Sequence, residues 1–571
     1  MRRIVVVATA VVALLGALSP PVSAQAPAPK VTINGLIDTV TLGTKNGFDG
    51  NYSRTDDSTW HARNRGVFTI AGEVGKARGV LALEIDLGWG QLSQNESNNS
   101  AGGNTVTSST GVIGTAQNPF QSGGMDLGVD MAGIIEVKNM YVEFPVPWVP
   151  VATVTRLGAQ PTQVTLKPAV LFTTDYGGVW LSSTIAPWVK FNLTYAQVEE
   201  QSSGYRASAT FTRGDDFVVA PSLDIEPMKG IKIRPIWLYF SAQGNTNAAP
   251  RCRVQCAGLP SNGGNATINA LTGAVTAPAA GFLGNYRTSS TEDRHYLAID
   301  AQTNFGPFYF DPTIIYETSS VDVYSTTGGE TIDANFTQGT GMKNTQNTSS
   351  WLVDLRGGWR AGPLLLEGMF VWTPGDDAQH DSFRSTRVYH PISTDGAGWG
   401  GWAEILSPGS VDYLNGASPG INENAGLGRY GIMRVGGRAS YALTPAFTVS
   451  GKWASWWTDT EVDTDAAGGT QRTGVGTASY GSNPCAGASG QANAGCIATN
   501  NKRGDEDYIG TEVSLGTTYQ FAPGLTFDLV YAHLFAGSAL DNTNPDPKTG
   551  TVTKHKAQDA DLAAARVRYQ F

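Results

Sequence analysis

Two carboxylates, Glu84 and Asp86, alternate with Leu83, Ile85 and Leu87 inside the segment 80–90. Side chains of an extended chain point to opposite faces in turn, so this spacing puts both acids on one face and the apolar residues on the other. The same spacing pairs Asp354 with Arg356, and Arg566 with Arg568, while Arg434 and Arg438 share a face four residues apart. Fixed acids and bases on one polar surface can orient dipolar solutes and set an ion preference in a narrow body of water. The candidates for such a surface are Asp38, Glu84, Asp86, Asp354, Arg356, Arg434, Arg438, Lys452, Arg566 and Arg568. Opposite charges on one wall also neutralise each other. Arg566 and Arg568 are therefore expected to bridge to Asp38 or to Asp528.

Other chemistry finds little support. His380, Asp381 and His390 share one stretch, but no nucleophile motif accompanies them, so no catalytic site is expected. Gly426, Gly428 and Gly431 match a dinucleotide-binding fingerprint, yet they lead into a strand pattern and not a helix. Two acidic combs, Asp459, Glu461, Asp463, Asp465 and Asp376, Asp377, Asp381, carry the hard oxygen ligands that suit Ca²⁺. Neither has a full EF-hand spacing, and solvated loop charge is the favoured reading; otherwise no cofactor or metal is expected. The four cysteines form two local pairs, Cys252 with Cys256 and Cys485 with Cys496. Neither pair is Cys-x-x-Cys and no histidine lies near, so disulfides are expected over a metal site.

These residues need elements to position them, and the elements are strands. Charged residues make up only 15% of the 571, against about 25% in an ordinary soluble domain. Glycine is abundant, at 69 residues, and aromatics reach 10%. Arg2 and Arg3, an apolar run over 4–18 and Val22-Ser23-Ala24 read as a signal peptide, residues 1–24. Removing it takes away two arginines and no acid, so the net charge moves from −10 to −12. So acidic a chain is a poor nucleic-acid binder. No later stretch of about 18 apolar residues offers a helical membrane span.

Period-two alternation recurs along residues 25–571, and the connectors alternate too. Short turns lie at 75–79, 145–150, 186–187, 227–230, 306–307, 361–363, 444–445 and 522–524. Between them run long polar connectors such as 91–133, 243–292 and 374–427. This regular asymmetry predicts a single all-β domain, a transmembrane antiparallel up-and-down barrel of about 18 strands, within 16–20. Its turns are short on the periplasmic side and its loops long outside. In that fold the apolar face meets lipid and the polar face meets water. The aromatics Trp89, Trp148, Trp180, Trp188, Trp237, Tyr309, Trp351, Trp359, Trp372, Trp456, Trp457 and Tyr519 then read as interfacial girdles.

The last strand puts Ala563, Ala565, Val567, Tyr569 and Phe571 on one face and ends on the phenylalanine. Here the chain resembles the Gram-negative porins, whose barrels end in an alternating aromatic strand with a terminal Phe. The opening segment Val31-Thr32-Ile33-Asn34-Gly35-Leu36-Ile37-Asp38 and the hairpin from Asn64 are similar to that family's first strands, as are Asn139–Phe144 and Thr155–Gln160. The resemblance covers the first 160 and last 65 residues best. It implies an outer-membrane location among lipid and lipopolysaccharide, and assembly machinery that reads Val567, Tyr569 and Phe571. It also implies homotrimers and passive diffusion of small hydrophilic solutes and ions. The sequence departs from the general porins in its strand number and in its third long connector, 161–177, which is short for a constriction loop; 91–133 could fill that role. Two alternatives stand beside the diffusion porin: a solute-selective channel or exporter for sugar or polymer, and a barrel that displays its loops for interaction.

Overall fold

The computed structural model describes residues 28–46, 58–88, 135–168, 170–199, 216–242, 292–325, 330–331, 342–377, 385–392, 402–406, 430–462, 464, 504–541 and 556–571. The signal-peptide segment, the four cysteines, Trp89, the loop 91–133 and Asp381, Asp463 and Asp465 lie outside them.

Eighteen long strands follow one another. They are β1 (Lys30–Lys45), β2 (Ser58–Val74), β3 (Ala77–Gly88), β4 (Ile135–Pro145), β5 (Thr153–Gln163) and β6 (Thr173–Ala186). Next come β7 (Val189–Glu199), β8 (Asp216–Met228), β9 (Ile231–Ala242), β10 (Glu292–Phe305), β11 (Phe308–Ser325) and β12 (Met342–Ala361). The last six are β13 (Leu364–Thr373), β14 (Ile432–Thr444), β15 (Phe447–Val462), β16 (Glu506–Ala522), β17 (Leu525–Ala536) and β18 (Ala560–Gln570). Each pairs antiparallel with its neighbours in the chain. β18 pairs with β1 from Leu36↔Gln570 to Lys45↔Asp561, so the sheet closes and no strand edge is left. Gly35 and Phe571 extend the seam by exchanging both backbone hydrogen bonds at 3.0 Å. The ring of Phe571 lies over Gly35, so any Cβ there would collide with it.

All eight short turns fall where the connector pattern predicts them. Gly75 and Gly306 adopt φ of 62°, a left-handed conformation that only glycine takes at little cost. The alternation is plain on β10, where Tyr296, Ala298 and Asp300 are buried inside while Leu297 and Ile299 stand exposed outside. The outward band also carries Trp188, Trp237, Trp351, Trp453, Leu515 and Tyr519.

Three sequence expectations need correction. The inner face is not uniformly polar. Val218 and Ala220 on β8, Leu238 and Phe240 on β9, and Leu352 on β12 are all buried inside the barrel. They are dry because connectors fold inward and pack on them. The girdle assignment fails for Trp180, Tyr309 and Trp456. Trp180 sits opposite Arg156 in the ladder with the guanidinium 4.8 Å above its ring, Tyr309 donates to Glu367 within the barrel, and Trp456 is fully buried under Arg434 at 3.7 Å. Finally, strict alternation breaks on β4, where the adjacent Lys138 and Asn139 both point to inner acids. The register slips between Ala82 and Leu83 and puts Lys138 in a bulge, so both side chains reach inner carboxylates.

Candidate functional site

Among the described residues, three segments of the long connectors turn into the barrel interior. The first lies between β5 and β6 and is described over 164–168 and 170–172, its neck closed by the Val164 N–H donating to the Phe172 carbonyl at 3.0 Å. At its tip the backbone N–H groups of Leu166 and Lys167 donate to one oxygen of Asp300 on β10. The other Asp300 oxygen accepts from Thr313 at 2.6 Å. Lys167 Nζ donates to Asp354 Oδ1 at 2.8 Å and to the carbonyls of Asp311 and Asp354 at 2.7 and 2.8 Å. Burial pushes the Lys167 ammonium below its ordinary pKa, while Asp354 pulls it back up. Arg356 clamps the same carboxylate with two bonds of 2.9 and 2.6 Å.

The second segment is 385–392, in the connector between β13 and β14. It lies against the first: Tyr389 donates to the Val170 carbonyl at 2.8 Å and the Ile392 N–H to the Leu171 carbonyl at 2.9 Å. Glu317 on β11 accepts the His390 N–H at 2.7 Å, and Asp376 accepts from Thr386 and the Arg387 N–H at 2.7 and 2.9 Å. The third segment, 402–406, belongs to the same connector. Glu512 on β16 accepts the backbone N–H groups of Glu404, Ile405 and Leu406 at 2.6, 2.9 and 3.0 Å, and Lys452 pairs with Glu404.

One rule runs through all three. An inward turn of chain exposes backbone N–H groups that must be paired once buried. Inward-facing wall carboxylates pair them with charge-assisted bonds. The apolar residues of each turn then bury against alternate residues of the wall. One cluster joins Val170, Leu171, Phe172, Tyr389 and Ile392 to β6–β13. A second joins Ala403, Ile405 and Leu406 to β1 and β15–β18.

The residues singled out by the sequence fall into this scheme as follows. Asp38 lies on the inner wall between Arg63 at 3.4 Å and Arg568 at 3.2 Å. Arg566 pairs with Asp528 at 2.8 Å. Glu84 takes both Arg65 and Lys138, the latter at 2.6 Å. Arg438 grips both carboxylate oxygens of Glu367 through Nε and Nη2 and lies under the Trp402 ring. Asp86 pairs in register with Arg65, and its side chain is outside the description. Lys167, Glu317, Glu404 and Lys138 were not found from the sequence. The apolar run Val170-Leu171-Phe172 inside an otherwise polar connector was the available signal for the first of them. The short third connector thus enters the barrel. Asp376 of one acidic comb is fully buried and takes loop donors, and Asp459 of the other takes Trp372 Nε1 at 2.7 Å and Gly375 N–H at 3.0 Å. No cluster of metal-ligating side chains occurs among the described residues.

No protein-family model and no curated protein matches this chain. Among solved structures the chain is similar to the Pseudomonas aeruginosa outer membrane protein opdK, at 8% identity and TM-score 0.42, covering 95% of this chain and 98% of that one. It is similar to P. aeruginosa OccK9 (OpdG) at 10% identity, and to a BenF-like porin from Pseudomonas fluorescens Pf-5 at 9%, both with TM-score 0.42 and the same coverage. The closed barrel of eighteen antiparallel strands rests on the strand register of this chain itself, not on these likenesses.

Proposed function

We propose that this protein is an outer-membrane channel that passes small hydrophilic solutes passively and prefers anions. An outward apolar band suits lipid, and barrels of 16–18 strands leave room for water inside. In this reading the chain sits among outer-membrane lipid and lipopolysaccharide, and assembly machinery reads Val567, Tyr569 and Phe571.

The observation that carries the ion preference is an exposure asymmetry. In most of the inner ion pairs the base is the more exposed partner and the acid sits in the wall. Arg438 is 34% exposed against 4% for Glu367, Arg568 28% against 1% for Asp38, and Lys138 21% against 2% for Glu84. Arg566–Asp528 and Arg156–Glu143 are nearly even, and in Arg78–Glu73 and Lys232–Glu226, beside the short turns, the acid is the more exposed partner. A chain with a net charge of −10 therefore presents a cationic surface to the solute. Charges nearest the water act most strongly on a passing ion, and buried partners are felt less. Planar bilayers under a KCl gradient test this. Ohmic steps with a reversal potential on the anion side are expected; a cation-side potential overturns the preference, and absence of steps overturns the channel.

A second reading, a solute-selective channel, draws on the three inward segments, which narrow the interior. Block of the current by a particular anionic solute at millimolar concentration would favour it over free diffusion.

A further inference from the structure

We propose that conduction is off-centre, running down the wall made by β2–β5, and that Arg65 and Lys138 set its ion preference. The proposal rests on the channel reading above. The two apolar clusters divide the interior unequally. One takes inward residues from every strand from β6 to β13 and seats the segments 164–172 and 385–392 on them. The other takes inward residues from β15 to β18 and from β1, and seats 402–406 and Ser538–Leu540. Among the described residues, β2, β3, β4 and β5 give no member to either cluster.

Beside small apolar residues such as Ala82, those strands present charged groups to the water. Arg65 and Lys138 share Glu84, Lys138 also reaches Asp175 at 3.1 Å, and Asn139 donates to Asp175 at 2.9 Å. The two carboxylates lie in the wall while both cations keep about a fifth of their surface in water, 18% and 21%. Under the segments Lys167 and Lys452 are drier, each 8% exposed. Exposed cations also stand on β14 and β18, Arg438 at 34% and Arg568 at 28%, but each of these strands lies beside an apolar cluster. An ion crossing the barrel loses its hydration least where fixed charge and water coincide, and among the described residues β2–β5 is the run of adjacent strands on which they coincide away from either cluster. The register slip at Lys138 is what brings its ammonium to Glu84, so the bulge belongs to the path.

Cysteine substitution with a small anionic methanethiosulfonate reagent, read as single-channel current, tests the path. Lys138→Cys and Arg65→Cys lie on it; Ala220→Cys lies on β8 beneath an apolar cluster. Treatment is expected to cut the current of the first two by at least a third and to leave Ala220→Cys and the wild type unchanged. Independently, Lys138→Gln is expected to lower the anion-to-cation permeability ratio at least twofold. A reagent response at Ala220→Cys equal to that at Lys138→Cys puts the water on both walls and overturns the proposal. So does an inert response at both Lys138→Cys and Arg65→Cys in channels that still conduct. A wild type that gives no steps refutes the channel reading itself, and heat-modifiable migration on gels verifies that each variant has folded.

Discussion

The wall of β2–β5 and the wall of β8–β12 are built on one alternation and end up differently. On β3 the inward side chains are Val80, Ala82 and Glu84; on β10 they are Tyr296, Ala298 and Asp300. The two carboxylates are equally buried, yet Glu84 is satisfied by the cationic side chains of Arg65 and Lys138, and Asp300 by backbone N–H groups of Leu166 and Lys167 and the Thr313 hydroxyl. A carboxylate that binds backbone fixes a segment of chain over itself. One that binds a long cation leaves a charge at the water surface. The same inward acid thus closes one wall and lines the other.

Five substitutions would break or sharpen this contrast. The largest effect is expected at the seam, on which both walls depend. Gly35→Val drives a side chain into the Phe571 ring, and Phe571→Ser removes that ring; each should reduce heat-modifiable barrel in outer membranes by more than half. Next, Asp354→Ala leaves Lys167 and Arg356 without their shared carboxylate, a loss of about 3–5 kcal/mol for an orphaned buried charge. It should unseat 164–172 and raise unit conductance, and unchanged conductance would show that the segment is held by its apolar contacts alone. Leu171→Ala removes a fully buried side chain from the first cluster, at a cost of about 3 kcal/mol, read as a lower unfolding midpoint in denaturant. The smallest effect belongs to Lys232→Met. It loses partly exposed pairs to Asp224 and Glu226 worth at most about 1 kcal/mol, so the midpoint should barely move.

The strands and their order were legible because each strand carries its own signal. Alternation needs only the residues of one strand, and Gly306-Pro307 or Ala522-Pro523-Gly524 marks a turn without reference to anything distant. The inward position of Glu84, Asp354 and Arg568 follows from parity in the same way. Whether such a residue meets water does not. Parity put Val40 and Leu42 of β1 on the polar face with Asp38, where they look like errors in the pattern. They are buried against the segment 402–406 and β18. Trp456 misled for the same reason, since an aromatic at a strand end fits an interfacial girdle as well as it fits a plug.

The amino-acid order alone determined that the chain forms a closed antiparallel barrel of about eighteen strands and, for most of them, which face is which. These are matters of period and turn chemistry, local to a few residues. Only the tertiary structure decided which inward faces are dry. The partners of Asp300, Glu317 and Glu512 are backbone N–H groups that arrive from more than seventy residues away. Every residue but proline carries such a group, so no side-chain pattern announces where it will be needed.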